Sequence, residues 1–414
     1  MPPPNFPFDA VLFDLDGTLL ATDRFWIPAA RVGARRAFAE LGLVREIPSA
    51  EQWMSMVGLP LSEGFDAVFP DLSQAQRTLV QERCVEEEHF ALESGAAALL
   101  PGVAEVLEEL HDRGVPMGIA SNCSQRYLDS AMLKPELKQF IHEGRCLDSP
   151  GIHNKAEMIE DLLLTFGTRS AVMVGDRRGD RDAAHANGLP HVHLENGFAP
   201  AGESVECEAR IVDFLELIPR LEGRTRWIDG VLQELGIGEG PGGPRTLGIT
   251  GRTCSGTSYF ARDLARRLRE RGRQVRVVPM QEFALASESG DRAPLEESTA
   301  ALAIPGMFYE LDFVSRNVLE PVGEPGELLI LEGPFLLHPR LRSALDRVVS
   351  LDVPEELLMR RGASRELPVG RASTFAAMRS VRWPAEARFD EACPPAERSD
   401  LHLDASNCLG PEAG

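Results

Sequence analysis

Lysine is almost missing from this chain. Of its 43 basic residues only Lys134, Lys138 and Lys155 are lysines, and the rest are arginines. So strong a bias is compositional, yet it gives weight to the few places where a lysine stands or is missing. Positive charge is short overall: the formal net charge is -21, which argues against nucleic acid as a partner. No apolar run approaches the roughly eighteen residues that a membrane span needs, so no membrane partner is expected. The N-terminus, Met1 to Phe8, has no basic segment followed by an apolar core, and it does not read as a signal peptide. The 7 cysteines are odd in number and contain no Cys-x-x-Cys pair. That excludes a paired-thiolate zinc site and suits a reducing cytoplasm.

What is present describes an ordinary globular chain. Its 414 residues are 43% hydrophobic and 26% charged, with length for two or three domains. The most informative stretch is Val11-Leu-Phe-Asp-Leu-Asp-Gly-Thr-Leu-Leu20. Val11, Leu12 and Phe13 read as a buried parallel strand. It ends in two carboxylates, Asp14 and Asp16, and a Gly17-Thr18 turn. Carboxylates at the tip of a buried strand are costly unless a cation or a reaction needs them, although a plain Asp-Gly turn has the same spelling.

Residues 21–95 read as helices, over Pro28–Leu41, Ala50–Val57 and Ser73–Leu92. A helical insert after such a strand would cover the site as a cap. A helix over 101–113 and a strand over Pro116–Ala120 follow, ending in Ser121-Asn122. A hydroxyl there can donate to a phosphate; the same pair is equally a helix N-cap. Lys155 opens a helix, on the wrong end of its dipole for a cation. The strand Ser170–Val174 then ends in Gly175-Asp176-Arg-Arg-Gly-Asp180, a second acidic strand tip.

In this order, Asp14-x-Asp16-Gly17-Thr18, Ser121-Asn122, Lys155 and Gly175-Asp176-x-x-x-Asp180 resemble the four motifs of the haloacid dehalogenase superfamily. Residues 9 to about 222, with Met56-Val57-Gly58-Leu59-Pro60 in the cap, resemble its phosphoglycolate-phosphatase-like branch. The resemblance implies a nucleophile, Asp14, and a general acid and base, Asp16. It also implies Mg2+ held by Asp14, the Asp16 carbonyl and Asp176, with Asp180 a further ligand or a support for Lys155. Thr18, Ser121, Asn122 and Lys155 would hold the phosphoryl group of a small phosphorylated metabolite. The second carboxylate, Asp16, speaks against dehalogenases and phosphonatases, and residues 21–95 lack the lysine a phosphonatase needs. A phosphomutase stays open.

Val212–Leu221 closes this first domain, Trp227–Leu235 reads as a connecting helix, and Gly236 to Pro244 is a linker by composition. A new strand, Thr246–Thr250, leads into Gly251-Arg-Thr-Cys-Ser255-Gly256-Thr257-Ser258 and a helix over Ser258–Arg271. This fits the Gly-x-x-x-x-Gly-Lys-[Ser/Thr] phosphate loop except that Thr257 replaces the lysine. Residues 246–407 resemble the uridine-kinase branch of P-loop kinases, with Arg361 and Arg365 where that family has its lid. The resemblance implies ATP or another nucleotide as a partner. Gln281-Glu282 stands where the family has its catalytic aspartate, however, and Ala303-Ile304-Pro305 where it reads the nucleoside. Loss of three such features points to a kinase fold without kinase chemistry. A living kinase, a nucleotide sensor and a scaffold remain as alternatives.

The expected fold class is α/β, with two doubly wound parallel-sheet domains. Residues 1–225 form a hydrolase domain of Rossmann-like fold with a helical cap, 226–245 a linker, and 246–414 a P-loop kinase-like domain. The expected activity is a cytoplasmic, magnesium-dependent phosphomonoesterase.

Overall fold

The structure, a computed structural model, describes residues 6–56, 59–199, 203, 205–238, 242–285, 299–320, 326–364, 372–407 and 409–410. The chain divides into two compact units, Met1–Arg220 and Leu221–Gly414. In the first, strands β1 (Ala10–Phe13), β2 (Met117–Ser121), β3 (Glu143–Cys146), β4 (Ala171–Gly175), β5 (His191–Leu194) and β6 (Ala209–Ile211) form one sheet. Its order is β3-β2-β1-β4-β5-β6, and every pairing is parallel. β1, β2 and β4 are buried throughout, as their apolar and small residues allow when both faces of a sheet are covered. Phe13 lies level with Ile119 on one side and Val174 on the other. Asp14, Ala120 and Gly175 therefore emerge at one edge, where the strand order reverses and α/β sheets bind ligands.

Five helices stand between β1 and β2: α1 (Thr22–Glu40), α2 (Ala50–Met54), α3 (Leu61–Val68), α4 (Gln74–Glu93) and α5 (Val103–Asp112). Two differ from the sequence reading. α1 starts six residues before the expected Pro28, which lies inside the helix. A proline there removes one backbone hydrogen bond, but the turns before it bury Phe25 and Trp26, and that packing holds the helix on. α3 was not expected at all; it is short, and its buried side is little more than Gly64 and Phe65. α2 and α4 begin as their sequence suggests, each under a Ser-x-x-Gln capping box from Ser49 and Ser73.

The second unit carries β7 (Thr246–Gly251), β8 (Val275–Pro279), β9 (Leu328–Glu332), β10 (Arg347–Asp352) and β11 (Leu401–Asp404). They form a parallel sheet in the order β11-β10-β7-β9-β8. A helix over Thr257–Glu270 follows β7 and buries Phe260, Ala261, Leu264, Ala265 and Leu268, the stripe its 3.6-residue period dictates. Trp227–Leu235, expected as a short connecting helix within the linker, is the end of a longer helix over Leu217–Glu234. Ile228, Val231, Leu232, Leu235 and Ile237 are buried in this unit's core. Among the described residues no helix is long and apolar enough to cross a membrane.

Candidate active site

Asp14 follows directly on β1, and its N–H donates to the Val174 carbonyl of β4, so the strand pairing continues into the carboxylate. Asp176 follows Gly175 at the tip of β4. Asp180 lies in the first turn of the helix Arg178–Ala186, where it accepts the Arg177 N–H. Lys155, first residue of its own helix, gathers this group. Its Nζ donates to Asp14 Oδ1 at 2.8 Å and to Asp180 Oδ1 at 2.6 Å. The ammonium on the unfavourable end of the helix dipole is thus held by two buried carboxylates.

Asp14, Asp176 and Asp180 are all buried, and one oxygen of each lies within 4.8 Å of the others. Burial and the neighbouring acids push Asp14 well up despite Lys155. Burial and Asp180 push Asp176 up to about 7. Lys155 is itself held above its ordinary value by Asp14 and Asp180, against the opposing effect of burial. Arg177 Nε also lies 4.0 Å from Asp176, and the hard oxygen donors of the three carboxylates suit a divalent cation.

Asp176 is also clasped by the backbone. It accepts the Phe198 N–H, and Gly197 passes so close that a Cβ would lie 2.1 Å from the Asp176 Cβ. Gly17, at φ +80, faces the same carboxylate, with room for no Cβ. The loop at 197–198 carries no sequence signal beyond its glycine, and sequence reasoning missed it.

Asp16 points elsewhere. Its carboxylate accepts Thr22 Oγ1 at 2.6 Å and Tyr127 OH at 2.5 Å. Burial raises its pKa, and these two hydrogen bonds offset part of the rise. Neither partner was foreseen. Thr22 comes from the first turn of α1, and Tyr127 from the helix Gln125–Ala131.

A cavity of about 600 Å³, open mouth included, lies against these groups. Asp14, Asp16, Ser121, Asn122 and Lys155 line it from the sheet side, and Trp26, Met56, Leu59, Leu61 and Glu88 from the cap. Ser121 is not a cap: the following helix is capped by Ser124, which accepts the Tyr127 N–H. Thr18, expected at the phosphate, is fully buried, does not line the cavity and donates to Asp176 at 3.4 Å. Its side chain supports a carboxylate instead.

The glycine loop of the second unit is differently occupied. Glu386, from the helix Trp383–Ala392, accepts the Thr253 N–H at 2.8 Å and Thr253 Oγ1 at 2.6 Å. Trp383 Nε1 donates to the Thr253 carbonyl, and Ser258 Oγ donates to Glu332 at the tip of β9. Gly251 admits no Cβ beside Ser255 Oγ, and Gly256 (φ +96) precedes Thr257, the first helical residue. Arg361 reaches the carbonyls of Cys254, Ser255, Ala405 and Ser406 at 3.3–3.5 Å. Arg365 lies outside the described residues. Glu282 is exposed and Ile304 is buried in a short helix. Beside the loop, a cavity of about 500 Å³ is walled in part by Glu386, Asp390 and Asp352. Burial and Glu386 push Asp390 up to about 7.

Residues 11–193 match the family of haloacid dehalogenase-like hydrolases. That match spans most of the first unit. A phosphoglycolate phosphatase of Pseudomonas syringae pv. tomato is 28% identical over 223 residues, which are 50% of this chain and 78% of that protein. One from Rhodobacter capsulatus is 26% identical over 239 residues, covering 52% and 98%. A solved haloacid dehalogenase-like hydrolase from Streptococcus pneumoniae is 22% identical, with a TM-score of 0.45, covering 51% of this chain and 98% of its own.

Proposed function

We propose that the first unit is a magnesium-dependent phosphomonoesterase of the reducing cytoplasm, acting on a small phosphorylated metabolite. The observation that carries this is Lys155 bridging Asp14 and Asp180 beside Asp176, with Asp16 turned toward the cavity. Asp14 attacks phosphorus, a P–O bond forms, and the bond to the leaving alcohol breaks. Asp16 delivers a proton to that alcohol; its raised pKa suits a group that must hold one. It then takes a proton from the water that attacks the aspartyl-phosphate, freeing Asp14 and inorganic phosphate. Lys155, with Ser121 and Asn122 on the cavity wall, orients the phosphoryl oxygens. Asp14, Asp176 and the Asp16 carbonyl would hold Mg2+, with Asp180 steadying Lys155. The ion supplies positive charge against the phosphoryl group.

Purified protein is expected to release phosphate from p-nitrophenyl phosphate and from members of a metabolite panel when magnesium is present. Excess EDTA should abolish this, and Asp176→Ala should raise the magnesium requirement by more than about tenfold. Undiminished hydrolysis in EDTA would remove the metal from the reading. No phosphate release from any ester would end the reading altogether.

The second unit, in this proposal, is a P-loop kinase-like fold that transfers no phosphate from ATP. The support is Glu386, a carboxylate already seated on the loop N–H that a phosphate needs, together with Thr257 in place of the lysine. Full-length Asp14→Asn protein, unable to erase a product, is expected to form no phosphorylated nucleoside or sugar from ATP and magnesium. Product formed with Thr257 in place would establish the rival reading, a bifunctional phosphatase and kinase.

A further inference from the structure

One acid in the cavity has no part in the chemistry above. Glu88 lies on α4 in a stripe with Val80, Cys84 and Leu92, all buried and four residues apart. That spacing marks a core-facing row, where an apolar residue is expected. The carboxyl is instead 8% exposed, lines the cavity, and has no hydrogen bond or ion pair among the described residues. Its row is fixed in place; Cys84 Sγ, one turn away, reaches the Ala30 carbonyl of α1. A buried polar group without a partner is costly, and this one lines the same cavity as Asp16.

Among the described residues the cap brings no cation to that space. The cap contributes Thr22, Trp26, Met56, Leu59, Leu61 and Glu88, and the intervening Val57 and Gly58 carry no charge. Among the described residues Lys155 is the one cation lining the cavity, and it serves Asp14, Asp180 and the phosphoryl group. Tyr127 and Thr22 already donate their hydroxyl protons to Asp16. An alcohol bearing a carboxylate would therefore be desolvated beside Glu88 with no cation from the described cap residues to meet it.

We propose that Glu88 selects the substrate: the alcohol carries a hydrogen-bond donor, hydroxyl or ammonium, and no second negative charge, so phosphoglycolate is turned away. This rests on the phosphatase reading and departs from the substrate in the relatives' names. Glu88 accepts from the donor, and the ester's phosphate reaches Asp14 with the alcohol already placed. Glu88 touches only the alcohol, so its effect falls on the comparison between esters.

The test compares kcat/KM of the full-length protein for phosphoglycolate, glycerol 3-phosphate, O-phosphoethanolamine and p-nitrophenyl phosphate with magnesium. At least one of the two donor-bearing esters should exceed phosphoglycolate by about 100-fold, as expected for a site built around a polar contact. Glu88→Gln and Glu88→Leu should each shrink that ratio by about tenfold or more, partly by improving phosphoglycolate. A charged Glu88 shows itself if Glu88→Gln harms the ammonium ester more than the hydroxyl ester. Wild-type protein that hydrolyses p-nitrophenyl phosphate but prefers phosphoglycolate overturns this inference and leaves the phosphatase reading standing. So does a ratio that both substitutions leave unmoved. Failure to hydrolyse any of the four overturns both.

Discussion

Asp14→Asn is expected to lower phosphate release by at least about 1,000-fold while leaving the fold intact, the scale on which loss of a covalent nucleophile registers. The amide matches the carboxylate in shape and keeps an oxygen for Lys155 Nζ, which now stands 2.8 Å from Asp14 Oδ1. It is nevertheless far too weak a nucleophile to open an ester. Folding stability should not fall. Asp14 is one of three crowded buried acids, and its neutralisation relieves repulsion as well as losing an ion pair. Thermal unfolding read beside turnover separates the two effects. Residual turnover above about one per cent of wild type would remove Asp14 as the nucleophile.

Much of this site was legible because its residues follow strands whose tips can be read locally. Asp14 and Asp176 each follow a short apolar run, and Lys155 is one of the few lysines in the chain. What could not be read were the residues that aim those groups. Tyr127 reaches Asp16 across 111 residues of sequence, and Phe198 reaches Asp176 through a backbone N–H that no side-chain pattern announces. Thr22 was missed because α1 was expected to begin at Pro28, where a proline ordinarily opens a helix; tertiary packing of Phe25 and Trp26 carried the helix past it. Thr18 belongs to a recognisable motif, yet only the fold shows its hydroxyl turned to Asp176.

The same distinction separates the strands. β1, β2, β4 and β7 are largely apolar and uninterrupted, and they were expected close to where they stand. β3, spelled Glu-Gly-Arg-Cys, and β6, spelled Ala-Arg-Ile, are short edge strands with polar residues. Their pairing is supplied by neighbours and not by their own pattern. In the second unit the glycine spacing of the loop was plain. The carboxylate seated on it, Glu386, lies 133 residues downstream of Thr253, beyond the reach of any local motif.

Lys155→Met should abolish turnover and, in metal-free protein, cost the first unit about 3–5 kcal/mol, the usual penalty for removing one partner from a buried ion pair. Lys155 is the bridge between Asp14 and Asp180, all three being nearly closed to solvent. Methionine replaces the aliphatic stem, so the loss is one of charge and not of volume. Without the ammonium, Asp14, Asp176 and Asp180, all buried, face one another within 4.8 Å. Magnesium should then restore part of the stability. An ion that binds only the folded state adds about 2.7 kcal/mol at a concentration 100 times its dissociation constant. Calorimetry of wild type and Lys155→Met, each in EDTA and in magnesium, resolves the two contributions. The expected signature is a large drop in the first unit's unfolding temperature in EDTA and a partial recovery in magnesium. A lysine lying on the protein surface would shift stability by no more than about 0.5 kcal/mol. A change that small in EDTA would mean that Lys155 does not hold the two strand tips together, and the assembled site would have to be rebuilt around another cation.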